Sequence, residues 1–260
     1  MLALDFGFGP LEEQFWRLLF TMTRIGAALV AAPLFGIPSV PAQVRVIGAG
    51  AIAVMVCAWL PISVPPALFS MQGLLDTLGE VLIGLMLGFV LQLGFAAPIL
   101  AAEVVGGAMG MNMAVAVDPN SGTQSPALGQ YFGVVLTVIF LGLGAHLQWF
   151  ALVVESYRTF PPGETWLGHE RFALLASFTG QTFATAVAIA LPACLVLLVV
   201  QFVTGVLSRS APALNLFSLG LPAGVLGGLA ALLISAPVLT DLLVRLSHEA
   251  ISRTAQLIAP

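Results

Sequence analysis

Apolar residues in this chain run in long blocks separated by short polar or proline-rich breaks. A bilayer-spanning helix needs about 20 predominantly apolar residues. Six blocks meet or approach that length, at roughly 12–32, 44–60, 73–97, 127–153, 172–207 and 212–236. The first carries Arg17 and Arg24 inside it. The second is short and runs into Pro61-Ile-Ser-Val-Pro-Pro66. The third has no charge between 81 and 102. Pro192 is expected to kink the fifth and Pro222 to interrupt the sixth. The pattern predicts an all-α chain of about six bent apolar helices or helical hairpins, because open strands leave backbone groups unpaired in lipid.

The breaks add detail. Pro33, Pro38 and Pro41 forbid a continuous helix from Ala32 to Arg45 and predict a bent hairpin. Glu155–Phe172 is the most water-like connection, and Ser208–Pro212 reads as a short turn. At the C-terminal end, Asp241, Arg245, Glu249 and Arg253 recur every four residues with alternating sign. On a helix they form one ladder of ion pairs, with Val238, Leu239, Leu242, Leu243 and Leu246 on the other side. This predicts an amphipathic helix over 237–258, at a membrane edge, against a partner or simply solvated.

The stretch 106–126 breaks the pattern. Met109, Met111 and Met113 fall at every second position, followed by Val115 and Val117, with Gly110, Asn112, Ala114, Ala116 and Asp118 interleaved. Period two signals an extended segment. Gly106, Gly107 and Gly110 would loosen its entry, and Asp118-Pro119-Asn-Ser-Gly122 is a turn signal. Irregular backbone at membrane depth is tolerated only when buried in protein or lining a cavity, and Met fills irregular gaps. The segment therefore reads either as a compliant stopper inside a channel or as an ordinary external loop.

Composition narrows the class. The chain is 59% hydrophobic and 8% charged, against about 25% charged in soluble domains, so lipid or protein must cover its surface. A net charge of -4 gives no reason to expect nucleic acid. Cys57 and Cys194 lie in apolar runs and read as buried packing residues rather than a disulfide or metal site. The first residues carry acids where a secretory leader needs bases, so no cleaved leader is expected. With six spans, Arg17, Arg24, Arg158, Arg171, Arg245 and Arg253 fall on one side and Arg45 and Arg209 on the other, which places both termini in the cytoplasm.

Candidate chemistry is sparse. His169-Glu-Arg-Phe-Ala173 lacks the second His of a zinc-protease helix, no G-x-S-x-G occurs, and no apolar block holds paired carboxylates. No enzyme, cofactor or metal site is expected. Glycines four apart, at Gly84 and Gly88, Gly129 and Gly133, and Gly220, Gly224 and Gly228, mark close helix approach within the chain or between subunits. Arg24, Arg45 and Glu103 are candidate pore or intersubunit polar residues, although Arg24 has the alternative of pairing with an internal acid. Asp76 and Glu80 read as helix-dipole acids near the start of the third helix.

Four stretches in this order carry a resemblance: Arg24–Arg45, Gly110–Gln130, Gly142–Gly163 and Ala211–Leu229. Together they resemble the R-component family of the flagellar type III export gate, FliR, with the virulence-secretion family SctT more distant. The likeness covers essentially the whole chain, and Ala145 stands where a second Gly is expected before His146. It implies a single export-gate domain over 1–260 that packs as bent hairpins into a helical hetero-oligomeric channel with the P and Q components, beside the B and A components of the export apparatus. It also implies a seat in the bacterial inner membrane at the flagellar basal body and a pore for exported unfolded chains. The stretch 106–126 would supply the pore plug, with Gly106, Gly107, Met109, Gly110, Met111, Asn112, Met113, Asp118 and Pro119 as its residues. A self-sufficient secondary transporter and the virulence counterpart are the alternatives.

Overall fold

The computed structural model describes residues 10–62, 70–111, 127–163, 168–210 and 220–259. Among them all regular structure is helical: α1 (Pro10–Ala31), α2 (Ala42–Trp59), α3 (Met71–Ala108), α4 (Ala127–Gly142), α5 (Ala145–Thr159), α6 (His169–Ser210) and α7 (Leu221–Ile258). The all-α, polytopic expectation holds. Four helices, α2, α3, α6 and α7, are long and apolar enough to cross a membrane, or five spans if α4 and α5 count as one broken span.

Several boundaries differ from the expected blocks. The third helix continues past 97 through Pro98 to Ala108. The block 127–153 is two helices, because Gly144 adopts φ +67° and ends the run. Such a conformation is cheap only without a Cβ. α6 passes through Pro192 as one element and includes Ser208–Ser210, which were expected in a turn. Pro222 lies in the first turn of α7 rather than interrupting it, where its missing N–H has no intrahelical partner to lose. The amphipathic stretch 237–258 is the second half of α7, continuous through Pro237. Its ladder forms two pairs, Asp241–Arg245 at 2.9 Å and Glu249–Arg253 at 3.6 Å.

Residues cluster into two compact units interleaved along the chain. One comprises 1–93, 144–178 and 249–260; the other comprises 94–143 and 179–248. In the first, α1 and α2 form the expected hairpin, with the turn closed by Gly36 N–H donating to Ala32 O at 2.7 Å. A Cβ on Gly36 would strike Val30 O and lie 2.8 Å from Ala32 O. The core of this unit includes Ile25, Leu29, Leu87, Leu91, Trp149 and Val153. Trp149 donates its indole N–H to Leu87 O at 3.2 Å, and Phe35 stacks on its ring.

The second unit is built on Phe95, Leu136, Phe140, Ala190, Ala193 and Leu197, with Phe95 and Phe140 packed edge to face at 5.5 Å. Its α6 and α7 leave Phe183, Val187, Leu191, Leu195, Leu198, Phe202, Leu233 and Ile234 exposed. A soluble surface does not carry so much contiguous apolar area. These faces are suited to lipid or to a protein partner.

Candidate functional site: the root of the central segment

The end of α3 leads into the central segment, and its geometry is defined through Met111. Gly106 and Gly107 are helical, and Met109–Met111 form a turn. Met111 N–H donates to Gly106 O at 3.1 Å, Gly110 N–H donates to Gly107 O at 3.0 Å, and Gly110 takes φ +82°. This pair of bonds around a left-handed residue is the Schellman helix ending. The expected loosening at Gly106, Gly107 and Gly110 is therefore corrected. Two of the glycines extend the helix, and the third closes it at one defined point. The extended reading does not hold for Met109–Met111. Asn112, Met113, Asp118 and Pro119 lie outside the described residues.

Neighbouring helices hold this ending. Met109 is 2% exposed and sits over Gly224 and Gly228 of α7. A Cβ on Gly228 would collide with Met109 Cε and stand 2.6 Å from its Cγ, and one on Gly224 would lie 3.0 Å from Met109 O. Gly110 faces Leu221, whose Cδ2 would be 2.7 Å from an added Cβ. From α6, Gln201 Nε2 donates to Ala108 O at 2.7 Å. With Met109 N–H donating to Val105 O at 2.9 Å, each of the last four carbonyls of α3 has a donor. Helices normally leave these groups orphaned, and in an apolar setting no water replaces the missing partners.

The other candidate residues fall elsewhere. Arg24 is fully buried and bonds Glu80 in bidentate fashion, Nε to Oε2 at 2.7 Å and Nη2 to Oε1 at 2.9 Å. Its Nη1 donates to Ser156 O at 2.8 Å and Oγ at 3.2 Å, and Nη2 also donates to Phe160 O at 2.9 Å. The guanidinium lies 4.2 Å over the Tyr157 ring, whose hydroxyl donates to Thr21 O at 2.6 Å. All five N–H donors of the arginine are used within the chain. Glu80 is thus the internal partner of Arg24, which corrects its reading as a helix-dipole acid.

Arg45 is half-buried. Its Nη2 donates to Val40 O at 2.9 Å, and its Nε is buried with no hydrogen-bond partner among the described residues. Glu103 is exposed on α3. Gly84 and Gly88 admit the backbone of α1: a Cβ on Gly84 would strike Arg24 O, and one on Gly88 would lie 2.5 Å from Ala28 O. Gly129 and Gly133 make only ordinary contact with Ile99. Gly220 directly precedes α7. Cys57 and Cys194 are half-buried free thiols rather than fully buried ones.

Two residues escape the sequence reading. A buried arginine needs an acid as partner, and the sequence offers both Asp76 and Glu80 without deciding between them. Gln201 is the single amide in Leu197-Leu-Val-Val-Gln-Phe-Val203, and an isolated polar group in such a run signals a specific bond.

Residues 15–250 match the family described as bacterial export proteins, family 1. The flagellar biosynthetic protein FliR of Escherichia coli (strain K12) is 31% identical over 249 residues, covering 96% of this chain and 94% of that protein. The Bacillus subtilis (strain 168) protein of the same name is 30% identical over 214 residues, covering 81% and 82%. That of Buchnera aphidicola subsp. Acyrthosiphon pisum (strain APS) is 29% identical over 241 residues, covering 93% and 92%. The chain belongs to this family, the bacterial export proteins whose flagellar members are named FliR.

Proposed function

We propose that the chain is a non-enzymatic channel subunit of the flagellar type III protein export gate. In this reading it sits in the bacterial inner membrane at the basal body, assembles with the P and Q gate components beside the B and A components, and surrounds a path for unfolded flagellar proteins. The observation that carries the proposal is family membership over residues 15–250, with the glycine- and methionine-rich segment near its middle. The exposed apolar faces of α6 and α7 supply surface for partners and lipid. The segment that begins at Gly106 serves as the plug of the closed pore, and energy for export is supplied elsewhere in the apparatus.

Native mass spectrometry of the detergent-extracted protein, alone and co-expressed with the P and Q components, tests the assembly. A single copy inside a larger hetero-complex is expected. A stable monomer or homo-oligomer that ignores both components would overturn the proposal. For the plug, deletion of 112–118 should make membranes that carry the assembled gate permeable to small ions, and unchanged permeability would count against it.

A further inference from the structure

We propose that Gln201 is a positioning residue for the pore closure: its amide, together with the Gly224–Gly228 notch, holds the end of α3 in one place and so fixes where the central segment leaves the helix. The inference rests on the proposed role of that segment as the plug. Three independent contacts carry it. The bond from Gln201 Nε2 to Ala108 O, at 2.7 Å, is the only one of the four terminal carbonyl bonds of α3 that comes from another helix. The Met109 side chain occupies the space over Gly224 and Gly228. Gly110, in its left-handed conformation, lies against Leu221.

The local Schellman bonds end the helix but cannot determine where that end lies relative to α6 and α7. Contacts with those two helices do so, Gln201 and the notch among them. Gln201 stands on a helix whose neighbouring residues Leu198, Val199, Phe202 and Val203 are apolar and exposed. In that setting an amide gains little from facing outward and much from a backbone acceptor. Met109 needs Gly224 and Gly228 of α7 bare. A methyl at 228 displaces the side chain itself, whereas a methyl at 224 presses on the Met109 carbonyl.

The test uses the full chain co-expressed with the P and Q components, with Cys57→Ala and Cys194→Ala removing the native thiols. A Val105→Cys thiol, buried in the last turn of α3, leaves Met109 in the notch and should be protected from a small methanethiosulfonate reagent. Adding Gln201→Leu should raise its labelling rate roughly five-fold, the scale of one lost hydrogen bond, while native mass spectrometry shows the assembly intact. If labelling and ion leak both rise, the anchor and the plug reading both stand. A rise in labelling without leak supports the anchor and removes the plug reading. Labelling that stays slow overturns the anchor, whatever the leak. Should Gln201→Leu fail to assemble, Gly228→Ala keeps every hydrogen bond and is read by the same labelling and leak, with the same outcomes.

Discussion

Arg24 and Met109 are both long side chains buried at a meeting of three helices, yet they are held by opposite means. Arg24 joins α1, α3 and α5 through a saturated set of charge-assisted bonds. Met109 joins the end of α3 to α7 through van der Waals contact over bare glycines, with α6 contributing one neutral hydrogen bond nearby. The first arrangement tolerates little displacement, because any shift leaves a buried charge without a partner. The second is a contact of shape alone, with a flexible side chain that repacks when its surroundings change. The contrast teaches that this chain keeps its stiff polar fastening in one compact unit and a compliant fastening at the root of its candidate functional segment.

Breaking the stiff fastening should have the largest effect. Arg24→Ala or Glu80→Ala leaves its partner buried and uncompensated, at a cost of about 3–5 kcal/mol. Loss of membrane accumulation and a lowered melting temperature in detergent would register it. The paired replacement Arg24→Met with Glu80→Leu should recover much of the loss. If the pair is no better than either single change, the ion pair does not account for the damage.

A smaller effect is expected where α1 packs on α3. Gly88→Val puts its Cβ against the Ala28 carbonyl and the Ala31 side chain, an overpacking cost of about 1–3 kcal/mol. Thermal denaturation of the purified protein measures it. At the compliant fastening, Gly228→Leu should change stability less than it changes permeability. Adding Met109→Ala should restore the seal, because the two changes share one volume, with a coupling of about 0.5–3 kcal/mol. Independent, additive effects of the two substitutions would dissolve the contrast drawn between Arg24 and Met109. The smallest effect belongs to Arg245→Ala, which removes an exposed pair with Asp241 worth about 0.3–0.5 kcal/mol. A melting curve indistinguishable from the unmodified protein is the expected result.

Long apolar blocks made the helices legible, because their lengths answer directly to the thickness of a bilayer. Their ends were harder to place. Gly144 ends a helix by its backbone angle, and the uninterrupted apolar character on both sides conceals that. The period-two spacing of Met109, Met111 and Met113 suggested extension, but Met109 belongs to the helix ending and packs as a core residue. The glycine directly after it was the better guide, since glycine at that position signals a left-handed cap. The pairing at Gly84 and Gly88 was visible from spacing, whereas the identity of Arg24's acid was not. Asp76 and Glu80 are one turn apart, and only the packing decides which of them faces the guanidinium. Gln201 escaped the sequence reading, and its acceptor lies 93 residues away, a distance that local pattern does not encode.

The saturated arginine also has a consequence for synthesis. Phe160, whose carbonyl completes the set, follows Arg24 by 136 residues. At elongation rates of about 5–20 residues per second, the guanidinium waits on the order of ten seconds for its last acceptor. Over that interval α1 carries a charge that lacks the partners a buried site requires. The first helix of this chain is therefore a late arrival: made early, it can settle fully only after α3 and α5 have been made.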